Sequence, residues 1–134
     1  MTFSNQAIRQ ELERAEEALA AAKLLLGPFN RDALSRVYYA VFHTVRALLM
    51  AVGVSPKTHQ GLVQKFHEHY IATGKLEVHW AKKLSRFQDD RSLADYDVGF
   101  QPEEDQVSAR CSEAQTLIEA ARGLLQSHLV DNHG

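Results

Sequence analysis

The chain has 134 residues, 45% of them hydrophobic, with 15 lysines and arginines against 17 aspartates and glutamates and a net charge of −2. That is enough apolar material for one compact domain over residues 1–134, and the charge balance excludes a global basic field for a nucleic acid duplex, so any RNA contact must be local. The single cysteine, Cys111, excludes an intrachain disulfide framework; with no leader pattern after Met1 and no apolar run long enough to span a bilayer, a cytoplasmic protein without a membrane segment is expected.

The periodicity is helical throughout. In the first segment Ile8, Leu12, Ala15, Leu19, Ala22 and Leu26 recur at alternating spacings of four and three, with Glu11, Glu13, Arg14, Glu16 and Glu17 between them. Gly27-Pro28 should stop this helix, and Asn30 is the expected N-cap of a second that carries Leu34, Val37, Val41, Val45 and Leu48 on its core side and ends at Gly53. The short turn predicts an antiparallel pair. Ser55-Pro56 is read as the start of a third helix containing Leu62, Val63, Phe66 and Tyr70 and closed by Gly74. A fourth holds Leu76, Trp80, Leu84 and Phe87 and becomes irregular over residues 88–100, read as a helix end and a loop. The last starts near Pro102-Glu103-Glu104 and carries Val107, Cys111, Ala114, Ile118, Ala121, Leu125 and His128 on one stripe, before a tail, Asp131 to Gly134, expected to fray.

The second helix has two faces of different kind. Arg36 and His43 lie seven residues apart, about 20° short of two turns, so both leave one side with Cα atoms roughly 10 Å apart. Tyr39, Ala40, Arg46, Ala47 and Met50 cluster near the same angle, a mixture of small, aromatic and cationic groups unlike a solvated surface. A second packing partner is implied, and a homodimer with Arg36, Tyr39, Ala40, His43, Ala47 and Met50 at the interface is the natural expectation. The structural alternative is a buried polar network of Arg36 and His43 with Asp95, Tyr96 or Asp97.

Other constellations carry less. His67 and His69 point about 200° apart on a regular helix and cannot share an ion, so no metal site is expected. Cys111, Phe66, Trp80 and Phe87 read as core, and His59 as a packing residue or groove lining. Lys57, Lys65, Lys75, Lys82, Lys83 and Arg86 form the densest cationic region, either a solvated face or a track for an RNA backbone or an acidic partner surface; pairing of Arg86 and Arg91 with Asp89 and Asp90 stands beside both.

The run Ser35-Arg36-Val37-Tyr38-Tyr39-Ala40-Val41-Phe42-His43, the element Ser55-Pro56-Lys57-Thr58-His59-Gln60-Gly61-Leu62 with Phe66, and Arg91 followed by Ala94-Asp95-Tyr96-Asp97 together resemble the small stand-alone HEPN domain proteins, in order and over nearly the whole chain. The resemblance implies an all-α, up-and-down antiparallel bundle of four to five helices that forms a homodimer, needs no cofactor, and is often encoded beside a minimal nucleotidyltransferase as a toxin–antitoxin pair. Active branches are metal-independent ribonucleases with an arginine and, after a short gap, a histidine; Arg36 and His43 occupy that motif with a gap of six residues. Directly after the arginine this chain has Val37, where catalytic members commonly carry a polar residue. Asp32, one turn before Arg36, is an expected orienting group, with Tyr39, Asp95 and Tyr96 as supporting residues.

Two functions of different class follow. In one the protein is a dimeric endoribonuclease toxin, with His43 as acid-base residue, Arg36 as phosphate binder and a composite site at the dimer interface. In the other it is a non-catalytic helical module that binds and regulates the nucleotidyltransferase. The resemblance also implies a tyrosine as acceptor of a nucleotide from that partner, and Tyr96, in a segment expected to be reachable, is the candidate.

Overall fold

The computed structural model describes residues 2–130, so the tail expected to fray lies outside them. Four long helices, α1 (Asn5–Leu25), α2 (Asn30–Met50), α4 (His79–Tyr96) and α5 (Glu104–Leu124), are joined by a shorter α3 (His59–Phe66), and α6 (Gln126–Leu129) follows α5. Among the described residues there is no strand.

Cross-helix pairs give the topology. On α1 and α2 the numbering runs in opposite senses, since Glu11 meets His43 while Ala21 and Arg36 line the same groove. The same opposition holds for α2 with α4, through Ser35–Asp95 and Tyr39–Arg91; for α4 with α5, through Arg86–Glu113 and Asp90–Arg110; and for α5 with α1, through Gln115–Lys23 and Arg122–Glu16. Each neighbouring pair in the ring α1–α2–α4–α5 is therefore antiparallel, the up-and-down arrangement that the repeating apolar stripes and short turns imply.

Helix α2 packs against α1, α3, α4 and α5. Its Val37, Val41, Val45 and Leu48 are buried, as their stripe predicts, but Ala40 and Ala47 are fully buried and Met50 is 8% exposed. The expectation that these three form a face open to a second chain is corrected: the second packing partner of α2 lies within the same bundle, where small residues permit close approach. A smaller apolar cluster of Ala33, Leu34, Ala94 and Val107, backed by Leu25, Leu26 and Phe100, closes one end.

Local signals differ from expectation at several ends. Ser4 caps α1, its Oγ accepting from Ala7 N–H. Gly27 has φ +101, which a side chain would strain, and it turns the chain after α1; its N–H donates to Asn30 Oδ1 at 2.7 Å, so Asn30 stabilises the turn and is itself the first residue of α2. The third helix starts at His59 rather than beside Ser55-Pro56, because Thr58 supplies the cap, its Oγ1 accepting from Gly61 N–H. It runs into a π-helical turn, His67–Ile71, within which buried Tyr70 donates its hydroxyl proton to the Leu48 carbonyl of α2; burial pushes that phenol up to about 12. Helix α4 continues through the polar stretch to Tyr96, and Arg31 then ties the following loop, Nε donating to the Phe100 carbonyl at 3.1 Å and Nη2 to the same carbonyl at 2.7 Å. The break after Leu124 puts His128 on α6 rather than on a continuous last helix.

Candidate functional site

A groove of about 850 Å³ runs along the α1–α2 seam, lined on α2 by Arg36, Tyr39 and His43 and on α1 by residues including Glu13, Arg14 and Glu17. Spacings of three and four on α2 put its three side chains in one row. The sequence-predicted arginine and histidine thus share one concave surface, with Tyr39 between them.

His43 is held from behind. Its Nδ1 lies 2.7 Å from Glu11 Oε1 on α1, and the same oxygen is 3.6 Å from Arg46 Nε. Burial alone would raise the Glu11 carboxyl, but the hydrogen bond from His43 and the charges of Arg46, His43 and Arg14 outweigh it and hold the group below its ordinary value. Glu11 is therefore an acceptor at neutral pH, which assigns the proton of a neutral imidazole to Nδ1 and leaves the Nε2 lone pair free. Sequence reasoning did not single out Glu11. A signal existed: it stands three residues after Ile8 and seven before Ala18, both buried, so it occupies the edge of the core stripe whereas Glu13, Glu16 and Glu17 point outward.

Arg36 is exposed and, among the described residues, makes no hydrogen bond or ion pair. Asp32 is not its orienting partner; it too is exposed, in the first turn of α2, where it complements the positive helix end. Nor does Arg36 join Asp95, Tyr96 or Asp97 in a buried network. Asp95 serves another arginine: Arg91 Nε lies 3.1 Å from Asp95 Oδ2, an ion pair whose N–H is poorly aligned, while Ser35 Oγ donates to Asp95 Oδ1 at 2.7 Å. The Arg91 guanidinium sits 5.0 Å from the Tyr38 ring and 5.5 Å from that of Tyr39, and its Nη2 donates to the Tyr39 hydroxyl at 3.3 Å. Behind them the Tyr38 hydroxyl pairs with His59 Nδ1 at 3.1 Å, and burial together with the nearby Arg91 charge lowers the His59 pKa. Tyr96 ends α4 at 79% exposure, outside the groove lining.

Half of the cationic region over the third and fourth segments, Lys65, Lys83 and Arg86, is ion-paired internally. Glu113 of α5 takes Arg86 Nη2 at 2.6 Å and Lys83 Nζ at 3.3 Å from α4, and Arg110 bridges Asp90 at 2.9 Å and Glu113 at 3.1 Å. Arg86 and Arg91 therefore do not pair with Asp89 and Asp90 as anticipated; partners on the facing helix, or a turn away on the same one, are better placed. Lys65 is paired with Glu68. Among the described residues no three His, Cys, Asp or Glu side chains gather to hold a metal ion, and no helix is long and apolar enough to cross a membrane. Cys111 is buried in the core, where desolvation raises its thiol pKa.

An all-α antiparallel bundle is the fold class that the described residues define. The chain belongs to the HEPN family, whose domain model matches residues 8–129. It is similar to a protein of Methanocaldococcus jannaschii named "Putative toxin", at 32% identity over 93% of this chain and 96% of that one. It is also similar to UPF0332 proteins of Thermotoga maritima, at 34% identity over 84% and 86% of the two chains, and of Gloeobacter violaceus, at 33% over 86% and 87%.

Proposed function

We propose that the chain is the HEPN component of a toxin–antitoxin type pair and that it cleaves RNA without a metal ion, Arg36 binding the scissile phosphate and His43 moving the proton. The observation that carries this reading is the exposed, unbonded Arg36 in the same groove as a histidine fixed by Glu11. An arginine that held the bundle together would be partly buried and paired, as Arg110 is; Arg36 is left free for a ligand. Relatives named as toxins agree with it.

In this reading the Nε2 lone pair of His43 accepts the 2′-hydroxyl proton, the 2′-oxygen attacks phosphorus, and the 5′-oxygen leaves with a proton from an acid. Arg36 stabilises the charge that builds on the phosphoryl oxygens. The products are a 2′,3′-cyclic phosphate and a 5′-hydroxyl. One chain supplies one histidine to the groove, so the acid is the His43 of a second copy, and the groove is proposed to be composite at a homodimer interface that includes Arg36, Tyr39 and His43 but not the buried alanines.

His43→Ala tests the proposal. Purified wild type should cleave single-stranded RNA with chelator present and run as a dimer by light scattering; the variant should fold and dimerise alike and lose cleavage by at least about a hundredfold. No cleavage by the wild type, or a variant as active as it, contradicts the reading.

A second reading is favoured by Glu13 and Glu17, whose carboxylates repel phosphate along the α1 side of the groove, and by apolar Val37 beside Arg36. Here the chain is a non-catalytic module, and the mixed-charge face binds a minimal nucleotidyltransferase encoded nearby. A stable complex formed by an RNA-inert wild type, and lost with charge reversal at Glu13 and Glu17, distinguishes it.

A further inference from the structure

Tyr39 occupies the middle of the groove. Any ligand that reaches Arg36 and His43 together crosses it, because the two Cα atoms are separated by seven residues of helix, roughly 10 Å, and Tyr39 lies between them in the same row. Its neighbour Tyr38 is 5% exposed and spends its hydroxyl on His59; Tyr39 is only partly buried and lines the groove.

The hydroxyl of Tyr39 is polarised from the far side. Arg91 donates to its oxygen at 3.3 Å, and a guanidinium has no lone pair to accept in return, so this contact leaves the tyrosine's own proton unused. Among the described residues nothing else accepts it. Arg91 is in turn fixed: Asp95 pairs with its Nε, Ser35 holds Asp95, and the Tyr38 and Tyr39 rings lie against its guanidinium. An oxygen that accepts a bond from a cation becomes a stronger donor through its own proton. The structure therefore contains a groove tyrosine, on the row between Arg36 and His43, whose hydroxyl oxygen accepts from a clamped arginine.

We infer that the Tyr39 hydroxyl is a third donor to a phosphodiester bound in this groove and that Arg91 is the positioning residue that aims and polarises it. This rests on the RNA reading of the groove given above. The phosphodiester oxygen carries charge and no proton, so it matches donors at Arg36 and Tyr39 on the α2 side of the groove.

The test is binding, separate from cleavage: fluorescence anisotropy with a fluorescein-labelled 2′-O-methyl oligouridine, which has no free 2′-hydroxyl and cannot be cut. Wild type should bind and Arg36→Ala should bind weakly. Tyr39→Phe keeps the ring on Tyr38 and Arg91 and deletes one oxygen; it should weaken binding about tenfold, as for loss of a hydrogen bond to a charged group, with an unchanged thermal midpoint. Arg91→Gln should show a comparable loss, and the double variant no further loss, because both changes remove one contact. Arg91→Lys keeps the charge beside Asp95 without the planar fork; it should fold and still bind more weakly than wild type. The inference is overturned if Tyr39→Phe binds as wild type does while Arg36→Ala does not, or if the Tyr39 and Arg91 losses multiply. Equal, negligible binding by wild type and Arg36→Ala overturns the RNA reading itself, and this inference with it.

Discussion

The charge on Glu11 decides which nitrogen of a neutral His43 carries the proton. Because the carboxyl is held below its ordinary value, it is an acceptor at neutral pH, and a neutral His43 imidazole beside it carries its proton on Nδ1 and its lone pair on Nε2. Glu11→Ala removes that bias and strands a partly buried imidazole. The expected outcome is a loss of RNA cleavage of about tenfold or more with wild-type affinity for an uncleavable oligonucleotide, and a stability cost of about 1 kcal/mol, checked by cleavage, anisotropy and thermal melting on one preparation. Arg36 and His43 were legible in the sequence, since a seven-residue spacing fixes a shared face whatever the tertiary fold. Glu11 was not, because its partner lies 32 positions away and only the seam of α1 and α2 brings them together. Asp95 stands four residues after Arg91, a pairing that spacing reveals only if the segment is helical, and residues 88–100 read as a helix end and a loop.

Among the elements, α2 shows what an amphipathic pattern conveys and what it omits. Its core stripe was readable from Val37, Val41, Val45 and Leu48. Its second apolar face was readable too, but a sequence cannot distinguish a neighbour within the chain from another copy, and Ala40 and Ala47 are buried inside the bundle. Polar pairs between α4 and α5 were equally hidden: Lys83 and Arg86 reach Glu113 and Arg110 reaches Asp90, an arrangement set by facing helices. Burial raises the Glu113 carboxyl, yet Arg86 and Lys83 outweigh it and the net direction is down. A depressed carboxylate contributes stability that is present above its unfolded value, near 4.5, and is lost as pH falls through the lower folded value. Glu113→Ala leaves three cations without their shared carboxylate and should cost about 2 kcal/mol at pH 7, less than a fully buried pair because Lys83 and Arg86 reach water. Melting from pH 7 down to 3 should show the deficit shrinking as acid protonates the wild-type carboxyl; a constant deficit would point to lost packing instead.

At the scale of the whole molecule, the bundle followed from the recurring stripes, Gly27-Pro28 and the short connections, which leave few ways to bury four apolar faces other than an antiparallel ring. Helix ends were less legible: Thr58 rather than Ser55 caps α3, and α4 runs on to Tyr96, since a polar sequence continues as helix when Ala94 can pack on Ala33, Leu34 and Val107. What the fold does for function is to finish its core without Arg36. The bundle closes on itself through α1, α2, α4 and α5 and leaves that arginine, with Tyr39 and His43, on a concave surface at no structural need. The most direct check is Arg36→Ala, with thermal midpoint and chelator-resistant RNA cleavage measured on the same sample. A midpoint within about 1 °C of wild type, as for a surface change free of contacts, together with cleavage reduced at least about a hundredfold is the predicted result. A midpoint lowered by several degrees with cleavage unaffected would contradict the account and make Arg36 a structural residue after all.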